Sequence, residues 1–203
     1  MAPIHFGPAR IPSRESPEAA IAVLTEKGYT ACEIDFEGKF WMDYEFAARL
    51  GELRERLEKK DRAVPFGIEV MGRVRELGTA EDVVEISRRC GWVRPVLDFA
   101  HMHATSDGAF TSAEPFVEVL EAADDVLEPA APFHIHFSDI AYANRNETKH
   151  LPYGEGTLRA EPLRDALALF ERPATVISES PDAASTQTIG AVLCGASAVR
   201  RAS

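Results

Sequence analysis

The chain has 203 residues, of which 45% are hydrophobic, and a formal net charge of −11 at pH 7. This length and apolar content suit one core, so we predict a single domain over residues 1–203. The acidic excess excludes attraction of nucleic acid or anionic membrane over the whole surface.

The three cysteines lie far apart, at positions 32, 90 and 194, and form no CxxC pair. This spacing argues against a disulfide framework or a cysteine zinc site, and favours a reducing compartment. The N-terminal residues lack the charged start and apolar run of a signal peptide. Because no apolar stretch approaches the roughly 20 residues of a membrane span, we expect a cytoplasmic protein without membrane association.

The first third of the chain predicts two strands, each followed by a helix. The apolar run 4–7 indicates a strand, and Ser16 with Pro17 forms a typical helix start. Residues 30–36 alternate as a second strand, and 43–60 have the apolar spacing of an amphipathic helix.

The same alternation continues to the C-terminus. The remaining strands are predicted at 64–71, 93–99, 133–137 and 175–178, and the remaining helices at 79–91, 114–128, 160–171 and 183–200. Six strand–helix units without a composition break predict an α/β fold with a parallel sheet and helices outside it.

Four consecutive predicted strands end in a side chain that can bind a metal. They are Glu69, Asp98, His136 and Glu179. Taken singly, each has an alternative explanation as a helix cap, a turn acid or a core polar group. Taken together they point to one site, because ligands bind at the carboxyl ends of parallel strands. Three packed carboxylates need a cation, and the mixture of oxygen and nitrogen ligands fits Zn²⁺ or Mn²⁺.

Further histidines lie near these strand ends. His101 follows Asp98 by three residues, and His150 can return from the polar loop after His136, so both are candidates for a second metal. His134 precedes His136 on the same strand face and is expected to be packed core. His103 is expected to be a surface group or to support the ligands.

Basic side chains also follow the predicted strands, namely Arg10, Arg14, Lys39, Arg73, Arg75, Arg145 and Lys149. They are consistent with a phosphate-binding rim, although acidic neighbours such as Glu147 and Glu155 dilute the positive charge. The sequence contains no P-loop, GxGxxG or GxSxG motif.

Six motifs carry a resemblance to a known family. They are HFGPA at 5–9, GIEVMG at 67–72, VLDFAHMHA at 96–104, HIHFSD at 134–139, KHLPYGEG at 149–156 and VISESP at 176–181. In this order they resemble the endonuclease IV type of apurinic/apyrimidinic endonuclease, within the wider xylose isomerase-like barrel superfamily.

The resemblance implies a zinc phosphodiesterase on a (β/α)₈ barrel with three metals. Glu69 matches the carboxylate that bridges two zincs, and the other ligands of the second zinc match Asp98, His136 and Glu179. His101 and His150 match ligands of the third zinc. The remaining ligand of that zinc, an aspartate in the family, falls on Thr148, and Glu147 is the nearest acidic residue.

The chain departs from the family in length. A (β/α)₈ barrel takes about 250 residues, whereas six units are predicted here. The units that carry the two histidines of the first zinc are absent, so the resemblance implies that this metal site is lost. We therefore expect a TIM-barrel-like (β/α) fold of about six units, with an incomplete or open barrel. An open sheet has edges that need covering, so a homodimer is expected in that case.

Three functions remain open from the sequence. The first is a Zn²⁺- or Mn²⁺-dependent phosphodiesterase that acts on abasic sites in DNA repair, with Glu69 orienting or deprotonating the water and Arg73 and Lys149 steadying the backbone. The second is a sugar isomerase or epimerase, because the four ligands also resemble the single-metal site of such enzymes in the superfamily. This resemblance implies that Glu69 and Glu179 exchange protons and that His101 contacts a small sugar. The third is a metal-binding remnant without catalytic activity.

Overall fold

Five parallel strands form the main sheet of the chain. The computed structural model describes residues 2–9, 17–31, 55, 59, 66–75 and 78–195. In chain order the five strands are β1 (Ile4–Pro8), β2 (Phe66–Glu69), β3 (Val93–Asp98), β4 (Phe133–Phe137) and β7 (Ala174–Ser178). Their spatial order is β1-β7-β4-β3-β2. The last parallel strand thus pairs with the first, as in a closing barrel, which confirms the α/β fold and is consistent with a partial TIM barrel.

The other described elements are one hairpin and six helices. The hairpin consists of β5 (Asp139–Ala143) and β6 (Asn146–Leu151), and the helices are α1 (Pro17–Glu26), α2 (Ala80–Arg89), α3 (Phe99–Thr105), α4 (Ala113–Asp124), α5 (Ala160–Leu167) and α6 (Ala183–Cys194). None of the helices in the described part of the chain is long and apolar enough to cross a membrane.

Two elements correct the sequence prediction. The strand predicted at 93–99 ends at Asp98, because the Asp98 side chain accepts the His101 N–H at 2.8 Å and caps α3. The polar segment after β4 is an antiparallel hairpin rather than a loop. Its two-residue turn, Asn144 and Arg145, has φ of 53° and 61°, the left-handed values of a type I′ hairpin turn.

Part of the predicted second unit falls outside the described residues. The N–H groups of Thr30 and Ala31 both donate to the Phe6 carbonyl, at 2.9 and 3.2 Å, so this segment runs beside β1. The rest of the strand predicted at 30–36, and nearly all of the helix predicted at 43–60, lie outside the described residues. The expected open barrel and homodimer remain predictions.

The core lies between the sheet and the helices. Alternation along β4 buries Phe133, Ile135 and Phe137 completely. His134 and His136 therefore share the opposite face, with ring centroids 5.5 Å apart, as the sequence predicted. This alternation is what directs an imidazole from the central strand into the interior of the barrel.

Asp139 fixes the hairpin to the loop that follows it. Its fully buried carboxylate accepts the backbone N–H groups of Gly154, Gly156 and Leu158 at 3.1, 2.8 and 3.2 Å, and Arg159 Nη1 at 3.0 Å. A Cβ at Gly156 would lie 2.3 Å from Asp139 Oδ1, so only glycine allows this close approach.

We predict that Asp139→Asn lowers the free energy of unfolding by roughly 2–4 kcal/mol, because a buried acceptor of several charge-assisted bonds loses its charge. Urea unfolding measures this. The control is Asp165→Asn at an exposed pair with Arg164, where less than about 1 kcal/mol is expected. Equal effects of the two substitutions would contradict the anchoring role of Asp139.

Candidate metal centre

The candidate ligands come together because the parallel strands end at the same edge of the sheet. Asp98 ends β3 and is in register with His136 of β4. Glu69 ends β2, and Glu179 follows β7 directly. We refer to these four residues as the first cluster.

The first cluster is tightly packed. His136 Nδ1 lies 3.2 Å from Glu69 Oε1, 3.6 Å from Glu179 Oε1 and 3.9 Å from Asp98 Oδ2. Ligand atoms of Glu69, Asp98, Glu179 and His101 all lie within 4.8 Å of one another. This spacing would let several side chains bind one cation.

The charges of the first cluster are unbalanced in the absence of a cation. Burial, together with the nearby Glu69, raises the pKa of Asp98. Burial and the Asp98 carboxylate raise the pKa of Glu179 to about 7. Burial also opposes ionisation of Glu69, but the hydrogen bond and charge of His136 outweigh it and lower the pKa of Glu69. Two of the three carboxyl groups therefore hold their protons more tightly than usual.

The residues fit a divalent cation. Asp98 Oδ2 is buried and accepts no hydrogen bond from any residue that the structure describes. A buried carboxylate oxygen of this kind is stabilised by a positive charge. Three carboxylates and an imidazole are also a donor set that suits Zn²⁺ or Mn²⁺.

A second cluster adjoins the first and consists of His101, His150 and Glu179. Ligand atoms of these three residues lie within 4.8 Å of one another. His150 Nε2 is 3.6 Å from Glu179 Oε2, and the ring centroids of His101 and His150 are 5.7 Å apart. The two clusters share Glu179, and His101 also lies within 4.8 Å of the three carboxylates of the first cluster.

Both imidazoles of the second cluster are oriented by neighbours. His101 Nδ1 donates to the Val70 carbonyl at 2.8 Å, and its Nε2 lies 3.0 Å from Glu147 Oε2. His150 Nδ1 lies 2.5 Å from Ser138 Oγ, which leaves its Nε2 toward Glu179. Such partners fix the ring orientation and tautomer of a metal-binding histidine. The sequence reasoning missed the roles of Val70 and Ser138, although Ser138 lies within the HIHFSD motif.

The remaining predicted site residues take different positions. Arg73 is about half exposed and its Nε lies 3.7 Å from Glu147 Oε1, beside the second cluster. Lys149 is exposed and precedes His150 on β6, so it points to the opposite face of the hairpin. The substrate-binding roles of Arg73 and Lys149 remain predictions. His103 is fully buried, with Nε2 2.9 Å from Thr157 Oγ1, and is a packed residue rather than a surface group.

Comparison with known proteins identifies the family. Residues 41–192 match the model of the xylose isomerase-like TIM barrel family. The chain belongs to this family. An uncharacterized protein of Methanocaldococcus jannaschii is 29% identical over 136 residues, which cover 66% of this chain and 50% of that protein. The chain thus spans half the length of this relative.

One solved structure shows the same fold at low identity, and a second gives a weaker match. A D-tagatose 3-epimerase-like protein is similar with a TM-score of 0.52 and 18% identity, over 93% of this chain and 73% of that one. A xylose isomerase domain protein from Planctomyces limnophilus has a TM-score of 0.44 and 13% identity, over 98% of this chain and 76% of its own. The family contains isomerases, epimerases and endonucleases, so membership does not select among these reactions.

We predict that the metal-free protein is less stable at about pH 8 than at about pH 5, by linkage of proton binding to folding. The folded-state pKa of Glu179 is raised from 4.5 to about 7, so its contribution is present below the unfolded value and lost as pH rises through 7. The raised pKa of Asp98 acts in the same direction. Melting temperatures in EDTA measure the effect.

Glu179→Gln should reduce this loss of stability, whereas the exposed Glu155→Gln should leave it unchanged. A melting temperature that rises between the two pH values in wild type, or an unchanged profile in Glu179→Gln, would show that these carboxyl groups do not carry the raised pKa values.

Proposed function

We propose that the chain is a divalent-metal-dependent phosphodiesterase that cleaves DNA at abasic sites. The observation that carries this proposal is the second cluster, in which the hairpin brings His150 beside His101 and Glu179. For a sugar isomerase or epimerase the resemblance implies a single metal, which the first cluster would bind. The added histidines of the second cluster favour a reaction that uses two.

Two adjacent cations suit phosphodiester cleavage. Two-metal sites stabilise both the attacking and the leaving oxygen of an in-line displacement. The clusters share Glu179, so cations bound by both would be neighbours. Zn²⁺ is the first candidate and Mn²⁺ the second, because the ligands are carboxylates and imidazoles.

The solvent exposure of each side chain indicates its role in the proposed reaction. Bound divalent cations supply Lewis-acid chemistry, which neutralises phosphate charge and makes water more acidic. Asp98 is fully buried, so it binds a cation and does not reach substrate. The Glu69 side chain is 37% exposed and held by His136 at 3.2 Å, so it orients the attacking water and accepts its proton. Arg73 steadies the phosphate from the rim.

A sugar isomerase or epimerase is the second candidate. It is favoured by the presence of Glu69 and Glu179 on either side of His136 in the first cluster, at 3.2 and 3.6 Å. Two carboxyl groups beside one cation can exchange protons at a carbon next to a carbonyl. His101 would then contact the sugar. A metal-binding remnant without activity is the third candidate.

We predict that wild-type protein loaded with Zn²⁺ or Mn²⁺ nicks an abasic duplex and that EDTA abolishes the activity. Glu69→Gln and Glu179→Gln should each lose at least about a hundred-fold in rate, since each removes a candidate ligand and, for Glu69, the base. Glu155→Gln is the matched control and should keep full activity. A gel assay of a labelled duplex measures nicking.

A panel of small ketoses and aldoses is tested with the same preparations. Isomerisation of a sugar without nicking of DNA would contradict the phosphodiesterase and favour the sugar isomerase or epimerase. Metal binding without either activity would favour the remnant. If neither substitution changes metal content or activity, the first cluster is not the site.

A further inference from the structure

The β5–β6 hairpin contains a β-bulge next to the second cluster. Ile140 pairs with His150 and Ala141 with Lys149, but Tyr142 pairs with Glu147. The register therefore skips one residue of β6, Thr148. Such a bulge inserts an extra residue into one strand and redirects the side chains that follow it.

The bulge changes the side of the hairpin on which Glu147 lies. In a regular strand Glu147 and His150, three positions apart, would point to opposite faces. With Thr148 as the extra residue, Glu147 pairs with Tyr142 and His150 with Ile140, two residues of β5 that share a face. Glu147 and His150 consequently lie on the same face, and Thr148 is exposed.

From this face Glu147 contacts His101, the member of the second cluster that lies nearest to it. Its Oε2 lies 3.0 Å from His101 Nε2, and only 21% of its side chain is exposed. Its Oε1 is 3.7 Å from Arg73 Nε. By contrast, Thr148 Oγ1 donates to the Ala141 carbonyl at 2.9 Å, so its hydroxyl forms a hydrogen bond within the hairpin and not with the cluster.

Gly72 makes room for Glu147. The Glu147 N–H donates to the Gly72 carbonyl at 2.8 Å, which fixes the backbone. A Cβ at Gly72 would lie 2.7 Å from Glu147 Cγ and 2.8 Å from His101 Cδ2. Any larger residue would push the carboxylate and the imidazole out of their present positions.

We infer that Glu147 is a further metal-binding residue, which adds a carboxylate on the His101 side of the second cluster for a divalent cation of the Zn²⁺ or Mn²⁺ type. The bulge at Thr148 is the feature that supplies this carboxylate. The inference rests on the proposed two-metal site. Without Glu147 the second cluster has one carboxylate, that of Glu179, and with Glu147 it has two. Three of the four side chains then come from outside the parallel strands, on α3 and β6.

The alternative role for Glu147 is a simple ion pair with His101. The two roles differ in what the substitution removes. If Glu147 only forms an ion pair, it stabilises the protonated imidazole of His101, and its loss does not change the number of metal ions bound. A ligand determines whether the second ion binds at all, and its loss leaves the ion at the first cluster in place.

The test is the number of Zn²⁺ ions bound by the full chain, measured by elemental analysis after dialysis and by titration calorimetry. Wild type should bind two ions. Glu147→Gln should retain one at unchanged affinity and bind the other at least about ten-fold more weakly, by the usual size of such losses. Glu155→Gln, an exposed glutamate in the same segment, should bind two ions like wild type.

A positional exchange tests the bulge itself. The double variant Glu147→Thr with Thr148→Glu keeps composition and charge but places the carboxylate on the bulged residue. It should behave like Glu147→Gln, with one ion retained. The retained first ion and an unchanged circular dichroism spectrum confirm that both variants fold.

Each other outcome overturns the inference. Two ions bound with wild-type affinity by Glu147→Gln would show that Glu147 only pairs with His101. Two ions bound by the exchange variant would show that the bulge does not select the ligand. One ion in wild type would remove the second site. Nicking of abasic DNA is scored separately: two ions without nicking would contradict the proposed function alone, and nicking by Glu147→Gln with both ions bound would contradict the inference alone.

Discussion

Three carboxylates that would repel one another are held together at the carboxyl ends of parallel strands in one sheet. Asp98 is fully buried, and Glu69 and Glu179 lie within 4.8 Å of its ligand atom. Burying an uncompensated carboxylate costs several kcal/mol. Two of the three carboxyl groups, those of Asp98 and Glu179, have raised pKa values for this reason. The protein therefore keeps at the end of its sheet an arrangement that costs stability in the absence of a cation. Stabilising the fold does not require such an arrangement, whereas a divalent cation bound there would explain it.

The two clusters depend on different parts of the fold. The first cluster follows from sheet register, because Asp98 and His136 are paired residues on neighbouring strands. The second cluster depends on the hairpin, which is fixed at one end by Asp139 and at the other by Arg145. Arg145 Nε donates to the Thr105 carbonyl at 2.6 Å, at the C-terminal end of α3. The helix that carries His101 and the strand that carries His150 are thereby joined at the turn.

The sequence predicted the parallel sheet and the convergence of the first cluster, for a clear physical reason. Apolar alternation identifies strands such as β4, and the carboxyl ends of parallel strands must meet at one edge. Four polar residues at matching strand ends were therefore expected to lie close together, which the distances confirm. The cap of α3 was less visible, because Asp98 serves both as the last strand residue and as the helix cap.

The hairpin could not be predicted in the same way. Its second strand, NETKHL, has a single buried residue and no apolar alternation. Its turn lacks glycine, although both turn residues have positive φ, and the contact of Arg145 with α3 compensates for that conformation. The bulge at Thr148 depends on cross-strand register, which no local pattern in the sequence specifies. Glu147 was consequently recognised only as the acidic residue nearest to a missing ligand.

The same carboxylates bear on which substrate the site can accept. Glu69, Asp98, Glu179 and Glu147 line the two clusters of a chain whose net charge is −11. Without cations this surface repels a phosphate, although Arg73 lies beside it, with its Nε 3.7 Å from Glu147 Oε1. Each divalent cation would reverse part of that charge where the substrate binds. A phosphodiester thus depends on bound cations for attraction as well as for chemistry, whereas a neutral sugar depends on them for chemistry alone. Phosphodiester binding should then weaken with added salt, and sugar binding should not, which makes the electrostatics of the loaded site informative about its substrate class.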